Sequence, residues 1–330
     1  VNKQVQAPHE RAAHSDLIPA KPRVGDKVFT GLSTGSGVAI LVILAAVAAF
    51  LLLRALPALT ASADDIAAGG YTSNLAWLDG FWGWVLPLAF GTIWAALGAL
   101  ALAVPVSIGI ALFISHYAPR RLAQTLGYVI DLLAAVPSVV YGLWGFFVLA
   151  PALGGLHRWL TTYLGWFPLF SGQASGTGRT IFTASIVLAV MILPIITSLC
   201  REVFLQTPKL HEEASLALGA TRWEMIRMAV FPFARAGIVS AIMLGLGRAL
   251  GETMAVAMIL SGQNRISFEV LTAQNPNTIA ANIALSFPEA YDLKINQLIA
   301  SGLVLFIITL AVNMFARWIV SRRAAFSGAN

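Results

Sequence analysis

Charge is what this chain has least of. Asp, Glu, Lys and Arg make up 11% of its 330 residues, against roughly 25% in soluble domains, which excludes an ordinary water-soluble fold. A single cysteine, Cys200, excludes an intramolecular disulfide framework and a cysteine–zinc cluster. It ends an apolar run and reads as a small core residue. The five histidines are scattered and none stands at catalytic or ligand spacing from a Cys or Asp, so a membrane enzyme is the least favoured class. No glycine-rich loop ending in Gly-Lys-Ser or Gly-Lys-Thr occurs, so nothing in the chain cradles nucleotide phosphates. The apolar–polar alternation of an outer-membrane barrel is absent as well.

What is present is grease: 58% of the residues are hydrophobic and the mean hydropathy is +0.79. Apolar runs of about 20 residues, long enough to cross a bilayer, recur at Val38–Leu59, Leu86–Ser115, Tyr128–Ala150, Ile181–Val203, Ile238–Ile259 and Leu298–Ile319. The pattern is that of an all-α membrane protein with six transmembrane helices. Pro105 predicts a kink or a tilt in the overlong second run. Ala61-Ser62-Ala63 resembles a signal-cleavage site, but the first run is too long for a signal core and follows a polar tail of 37 residues, so a retained span is expected.

Lys and Arg set the orientation. With the N-terminus inside, fifteen basic residues fall in inside segments and five in outside ones, with Arg248 within a span. That bias predicts cytoplasmic termini and accounts for the net charge of +6 without a nucleic-acid partner. Trp77, Trp82, Trp84, Trp159 and Trp166 then gather on the external side, as interfacial aromatics do. The expected organisation is a flexible cytoplasmic tail at 1–37, a first span and external loop at 38–84, a core at 85–320 and a short cytoplasmic tail at 321–330. In the external segment 263–297 a short helix is expected around Thr278–Ser286.

Between the fourth and fifth runs lies TPKLHEEASLALGATRWEMIRMAVFP, residues 207–232. Thr207-Pro208 has the form of a helix start, a hydroxyl at the N-cap followed by a residue that needs no N–H. Leu210, Ala214, Ala217 and Leu218 form one apolar stripe, Glu212 and Glu213 favour the first turns, and Gly219 is a left-handed stop. Thr221-Arg222-Trp223-Glu224 has capping-box spacing and starts a second helix, ending at Pro232 or passing into the next span. Trp223, Met225, Ile226 and Met228 are available for contact. The pair reads either as a hairpin lying on the membrane or as a stiff docking element for a soluble partner.

Arg248 and Glu252 lie in GLGRALGETMAVAM, near the middle of the fifth run. A charge at that depth costs about 2.5–3.5 kcal/mol on insertion scales. At spacing i,i+4 the two share a helix face and can neutralise each other. They read as an anion path, with Glu252 holding Arg248 when the path is empty, or as an ion pair that fixes helix orientation. Gly247 and Gly251 form a GxxxG that admits a close helix. Asp131 falls in the first turn of the third run, where the helix dipole favours a carboxylate; contact with the 207–232 segment is the alternative.

Two sets of residues carry a family resemblance. Glu213-Ala214-Ser215, Gly219 and Pro232 resemble the EAA loop of ABC-importer permeases, with Ser215, Ala229 and Phe231 departing from its Ala, Ile and Leu. GRALGETMAV, together with DLLAAVPSVVYGLWG at 131–145 and NTIAANIALSFPEA at 277–290, is similar to the phosphate-specific permeases of the PstC type. The resemblance covers residues from about 85 to 320. It implies the type I (MetI-like) permease fold with cytoplasmic coupling helices, in a bacterial cytoplasmic membrane. It further implies a PstA-type permease partner, a PstB-type ATPase dimer that binds ATP and Mg, and an external PstS-type phosphate-binding protein. Glu212, Glu213, Ala214, Gly219, Thr221, Arg222 and Trp223 would couple to the ATPase; Arg248 and Glu252 would line the path. This chain itself would bind no cofactor, and Leu260-Ser261-Gly262-Gln263, one glycine short of the ATPase LSGGQ signature, is a decoy. A permease for another oxyanion, or a carrier driven by an ion gradient, are the competing expectations.

Overall fold

The computed structural model describes residues 24–68 and 78–324. Helix α1 runs Val24–Thr60, α2 Ala63–Ala68, α3 Gly80–Tyr117, α4 Arg120–Ala134, α5 Ser138–Leu164 and α6 Ile181–Leu205. They are followed by α7 Lys209–Ala217, α8 Arg222–Leu250, α9 Met254–Ile259, α10 Ile279–Ser286 and α11 Leu293–Ala324. Among the described residues six helices are long and apolar enough to cross a membrane: α1, α3, α5, α6, α8 and α11. The chain divides into two units, 1–50 and 51–330. In the first, the apolar residues of α1, such as Leu41 and Ile43, are exposed.

The core of the second unit is built on α6, with Val187, Leu188, Met191, Ile192 and Ile196 fully buried. Its partner α3 presents a ladder of buried alanines, Ala95, Ala96, Ala99 and Ala103. Without a hydrophobic drive between helices in lipid, small residues of this kind let backbones approach and gain dispersion contact. The approach is close enough for Ser185 Oγ to donate to Ala95 O at 3.3 Å and Ser107 Oγ to Leu193 O at 3.2 Å. A second cluster joins Ala55, Trp84, Leu88, Ile279 and Leu298 at the ends of α1, α3, α10 and α11. Thr92 closes it, donating to Leu88 O at 2.7 Å and accepting from Ile279 N at 2.9 Å. The short helix expected near 278–286 is α10, capped by Thr278.

Several expected boundaries move. Helix α1 starts at Val24, so the last part of the 1–37 tail is helical; nothing in its small-residue run stops hydrogen-bond propagation. The rest of that tail, Trp77, and residues 325–330 of the C-terminal tail lie outside the described residues. The third run is not one span. Pro137 lacks the N–H a helix needs and disfavours helical geometry at the residue before it, so α4 ends at Ala134 and α5 starts at Ser138. Asp131 therefore sits exposed near the C-terminal end of α4, not in the first turn of a span. Pro105 is accommodated inside α3 without a break. Cys200 is fully buried and unpaired in the core.

Candidate functional site

The fifth run breaks as well. Helix α8 stops at Leu250, Gly251 caps it, and α9 begins anew at Met254. Arg248 is in the last turn of α8, whereas Glu252 lies in the connection and its Oε1 accepts the Ala255 N–H at 3.1 Å. The expectation of one continuous helical face carrying both charges is thus corrected: Glu252 satisfies a backbone donor freed by the break, as the first N–H groups of any helix require, and Arg248 makes no ion pair with a described residue. Glu252 is 9% exposed, while Arg248 is exposed. Breaks of this kind inside membranes occur where backbone is buried in protein or lines a path.

The two broken spans brace each other. A Cβ on Gly142 would lie 2.8 Å from the Ala255 Cα, and one on Gly145 would meet Val187 and Ile259 at 2.6 and 2.8 Å. Tyr141 donates its hydroxyl to Leu133 O at 2.9 Å, bridging the Pro137 break from the far side. Leu133 O is the acceptor that an N–H at position 137 would have used. At the other end of α9, Arg179 donates to Met258 O, Leu260 O and Ile259 O at 3.4, 3.1 and 3.3 Å. Its guanidinium also lies 5.4 Å from the Phe146 ring centroid. A cation there offsets the unpaired terminal carbonyls. Tyr141, Gly142, Gly145 and Arg179 were not singled out one by one from the sequence; three of them lie in the 131–145 match, and nothing local marks Arg179.

Arg248 opens onto a groove of about 730 Å³ between α6, α8 and α11, lined among others by Ile195, Ser240, Gly247, Asn313 and Arg317. Its α8 residues recur at Val239/Ser240, Met243/Leu244 and Gly247/Arg248, the four-residue spacing of one helix face. Glu252 does not line it. Gly247 leaves open space beside it, so the GxxxG seats no helix among the described residues.

The segment 207–232 folds largely as its caps dictate, with three changes. Thr221 Oγ1 accepts from Glu224 N at 3.3 Å while Glu224 Oε2 accepts from Thr221 N at 2.8 Å, a complete capping box. Gly219 has φ +89°, the left-handed stop that a side chain would strain. The first change is at the start: Pro208, extended at ψ 123°, precedes α7, and Thr207 is turned inward, its hydroxyl buried with no partner among the described residues. The second is that no separate second helix exists. The capping box begins α8, whose turn Ile226–Val230 widens to π geometry, making room for the ring of Pro232 against the preceding carbonyls. The third is that Met225 and Ile226 are core residues, leaving Trp223 and Met228 exposed.

No residue of α7 is buried. Leu210 and Leu218 are 74% and 89% exposed, so the expected stripe covers nothing among the described residues. A cavity of about 610 Å³ opens beside it, lined by Ala214, Ser215, Leu218, Gly219, Glu224 and Met228 among others. The adjacent carboxylates separate: Glu212 Oε1 lies 3.5 Å from His116 Nε2 on α3, whereas Glu213 is exposed, as are Ala214, Thr221 and Arg222. His116 is itself held by Ser115 Oγ, 2.7 Å from its Nδ1, and packs against Phe204.

Comparison with known proteins agrees with this architecture. Residues 103–324 match the family described as binding-protein-dependent transport system inner membrane component. The chain is 46% identical over 305 residues to the phosphate transport system permease protein PstC 2 of Mycobacterium tuberculosis, covering 92% of this chain and 93% of that one. It is also 46% identical over 279 residues to PstC of Mycobacterium leprae, covering 84% and 87%. Among solved structures, a bacterial ABC transporter that imports the acidic polysaccharide alginate superposes with a TM-score of 0.58 at 16% identity, over 90% of this chain and 96% of that one, which shows a shared fold. The six apolar helices and these matches make the chain a multi-pass permease component of an ABC importer, and it belongs to the binding-protein-dependent transport system inner membrane component family, in its PstC-type branch.

Proposed function

We propose that this chain forms half of the translocation channel of an ATP-driven importer of inorganic phosphate, with Arg248 as the transient anion contact. The observation that carries the reading is the exposed Arg248 guanidinium, without a carboxylate partner among the described residues, opening onto the α6–α8–α11 groove. A charge held at that depth without a counter-ion is costly, and an anion passing through offsets the cost. Binding there is weak by design, because conduction requires release; selection is assigned to an external binding protein of the PstS type. Glu252 contributes by capping α9 and thereby keeping the chain open beside Arg248.

The energy comes from elsewhere. Lacking a nucleotide-phosphate loop, the chain couples to a PstB-type ATPase dimer that holds ATP and Mg, beside a PstA-type permease subunit. The seat for that ATPase is the exposed face of α7 and the start of α8: Glu213, Ala214, Gly219, Thr221, Arg222 and Trp223, with Glu212 tying the face to the bundle. ATP-driven closure of the ATPase shifts this face, and α8 carries the shift unbroken from Arg222 to Leu250, that is, from the docking face to Arg248. A ligand moves such an equilibrium only by binding its two states unequally, which closure of the nucleotide sites supplies. Both termini face the cytoplasm in this reading.

The test is ATP-dependent uptake of radiolabelled phosphate by the reconstituted complex. Arg248→Gln is expected to lower it by about tenfold or more, the scale of losing one charge-assisted contact. Uptake at the unmodified rate would remove Arg248 from the path. Competition by sulfate or molybdate as strong as by phosphate would reassign the complex to another oxyanion.

A further inference from the structure

Arg248 is not the sole cation on the groove. Arg317, on α11, lines the same cavity of about 730 Å³, with Asn313 one turn before it on the same helix and Ser240 across it on α8. Neither arginine pairs with a carboxylate among the described residues, and no acidic side chain lines the groove. The bland account of Arg317 is an interfacial anchor at the cytoplasmic edge, where the sequence count puts it. The lining of the groove adds a second role. Arg317 is the penultimate residue of the apolar span Leu293–Trp318, yet it lines the same groove as Ile195, Ser240 and Arg248. Its neighbour Ala316 is packed away at 7% exposure, so α11 is engaged with the bundle at this level.

Two guanidinium groups on one groove, with no acidic side chain lining it, form a +2 field that draws an anion. We propose that Arg317 is a second anion contact, and that Arg248 and Arg317 together hold the two negative charges of one tetrahedral oxyanion, with Asn313 donating a neutral hydrogen bond. The proposal rests on the reading of Arg248 as an anion contact and extends it to a two-point site. Guanidinium forks match oxyanion edges in pairs, and two forks on different helices can grip an anion from two sides. The groove is far larger than one such ion, so the ion keeps part of its hydration and the grip stays weak enough for passage. Because α8 and α11 each supply one arginine, relative movement of the two helices changes the spacing of the forks and thereby loads or releases the anion.

The experiment uses the complete reconstituted complex, with Leu244→Cys as a reporter: Leu244 lines the groove and is 57% exposed, whereas the native Cys200 is buried. Alkylation of this cysteine is followed with and without inorganic phosphate, in vesicles of phosphatidylcholine alone and with added phosphatidylglycerol. Phosphate is expected to slow labelling in both lipids, Arg317→Gln to abolish that protection and cut ATP-dependent uptake by about tenfold, and Arg317→Lys to restore part of both. Unchanged protection and uptake in Arg317→Gln overturns the proposal. So does slowing that follows phosphatidylglycerol and not phosphate, which makes the groove a lipid-headgroup site. Loss of the partner permease on purification of Arg317→Gln also overturns it, placing the counter-charge on that partner. If Arg248→Gln loses protection while Arg317→Gln keeps it, the second contact falls and the Arg248 reading stands; if neither variant changes uptake or protection, both fall.

Discussion

Tyr141 shows how much a single side chain holds together here. Its hydroxyl reaches back across the Pro137 break to Leu133 O, its ring is 8% exposed, and Gly142 beside it lets α9 come within backbone contact. Interhelical and backbone hydrogen bonds in membranes average about 0.6 kcal/mol, with a maximum of about 1.7. Tyr141→Phe is therefore expected to lower the thermal stability of the detergent-purified complex by about that amount and to slow uptake modestly. Gly142→Ala is a harsher change, because the new methyl meets the Ala255 backbone at 2.8 Å and pushes on α9, whose first turn Glu252 caps. Phosphate uptake should fall more in Gly142→Ala than in Tyr141→Phe; the reverse order would count against α9 as the sensitive element. The motif around these residues was legible in the sequence as a resemblance. Its reason was not, since the partners of Tyr141 and Gly142 lie on opposite sides of two helix breaks.

At the scale of elements, α7 is the informative one. The left-handed Gly219 and the Thr221 capping box were readable from their spacing, because caps are decided within four residues of chain. The division of labour between Glu212 and Glu213 was not. Both carboxylates suit a first turn, and only the tertiary approach of α3 sets His116 beside one of them. Glu212→Gln is expected to loosen α7 from the bundle and Glu213→Gln to weaken the ATPase contact. In the purified complex the first should raise phosphate-independent ATP hydrolysis relative to uptake, and the second should reduce co-purification of the ATPase. Identical phenotypes would show that the two residues act on one surface. Gly219→Pro should uncouple hydrolysis from uptake, since proline cannot adopt the positive φ that separates α7 from α8. The continuity of α8 across Pro232 also escaped the sequence: a proline inside a helix reads as a boundary unless the preceding turn widens to receive it.

For the whole molecule the exposed surface is as telling as the core. The apolar window of α1 has none of its residues buried within the chain, and that of α11 has 17% buried, against 67% for α6. Lipid or partner subunits must cover the rest, because apolar area left outward is unfavourable in water. The chain reconstituted alone is expected to move no phosphate with or without ATP, and transport should appear on adding the second permease subunit and the ATPase. Ion-gradient-driven uptake by the isolated chain would bring down the importer reading altogether.

Membrane residence, the number of spans, the short helix α10 and the caps of the 207–232 segment were determined by the sequence itself. Hydropathy and capping are short-range properties that each stretch carries wherever it is placed. Tertiary structure alone decided that Arg248 and Glu252 part company at a helix break, that Arg179 anchors the far end of α9, and that Arg317 meets the groove of Arg248. Those outcomes join residues up to 81 positions apart. They depend on which helices can approach closely, which buried alanines and glycines permit and no local pattern records.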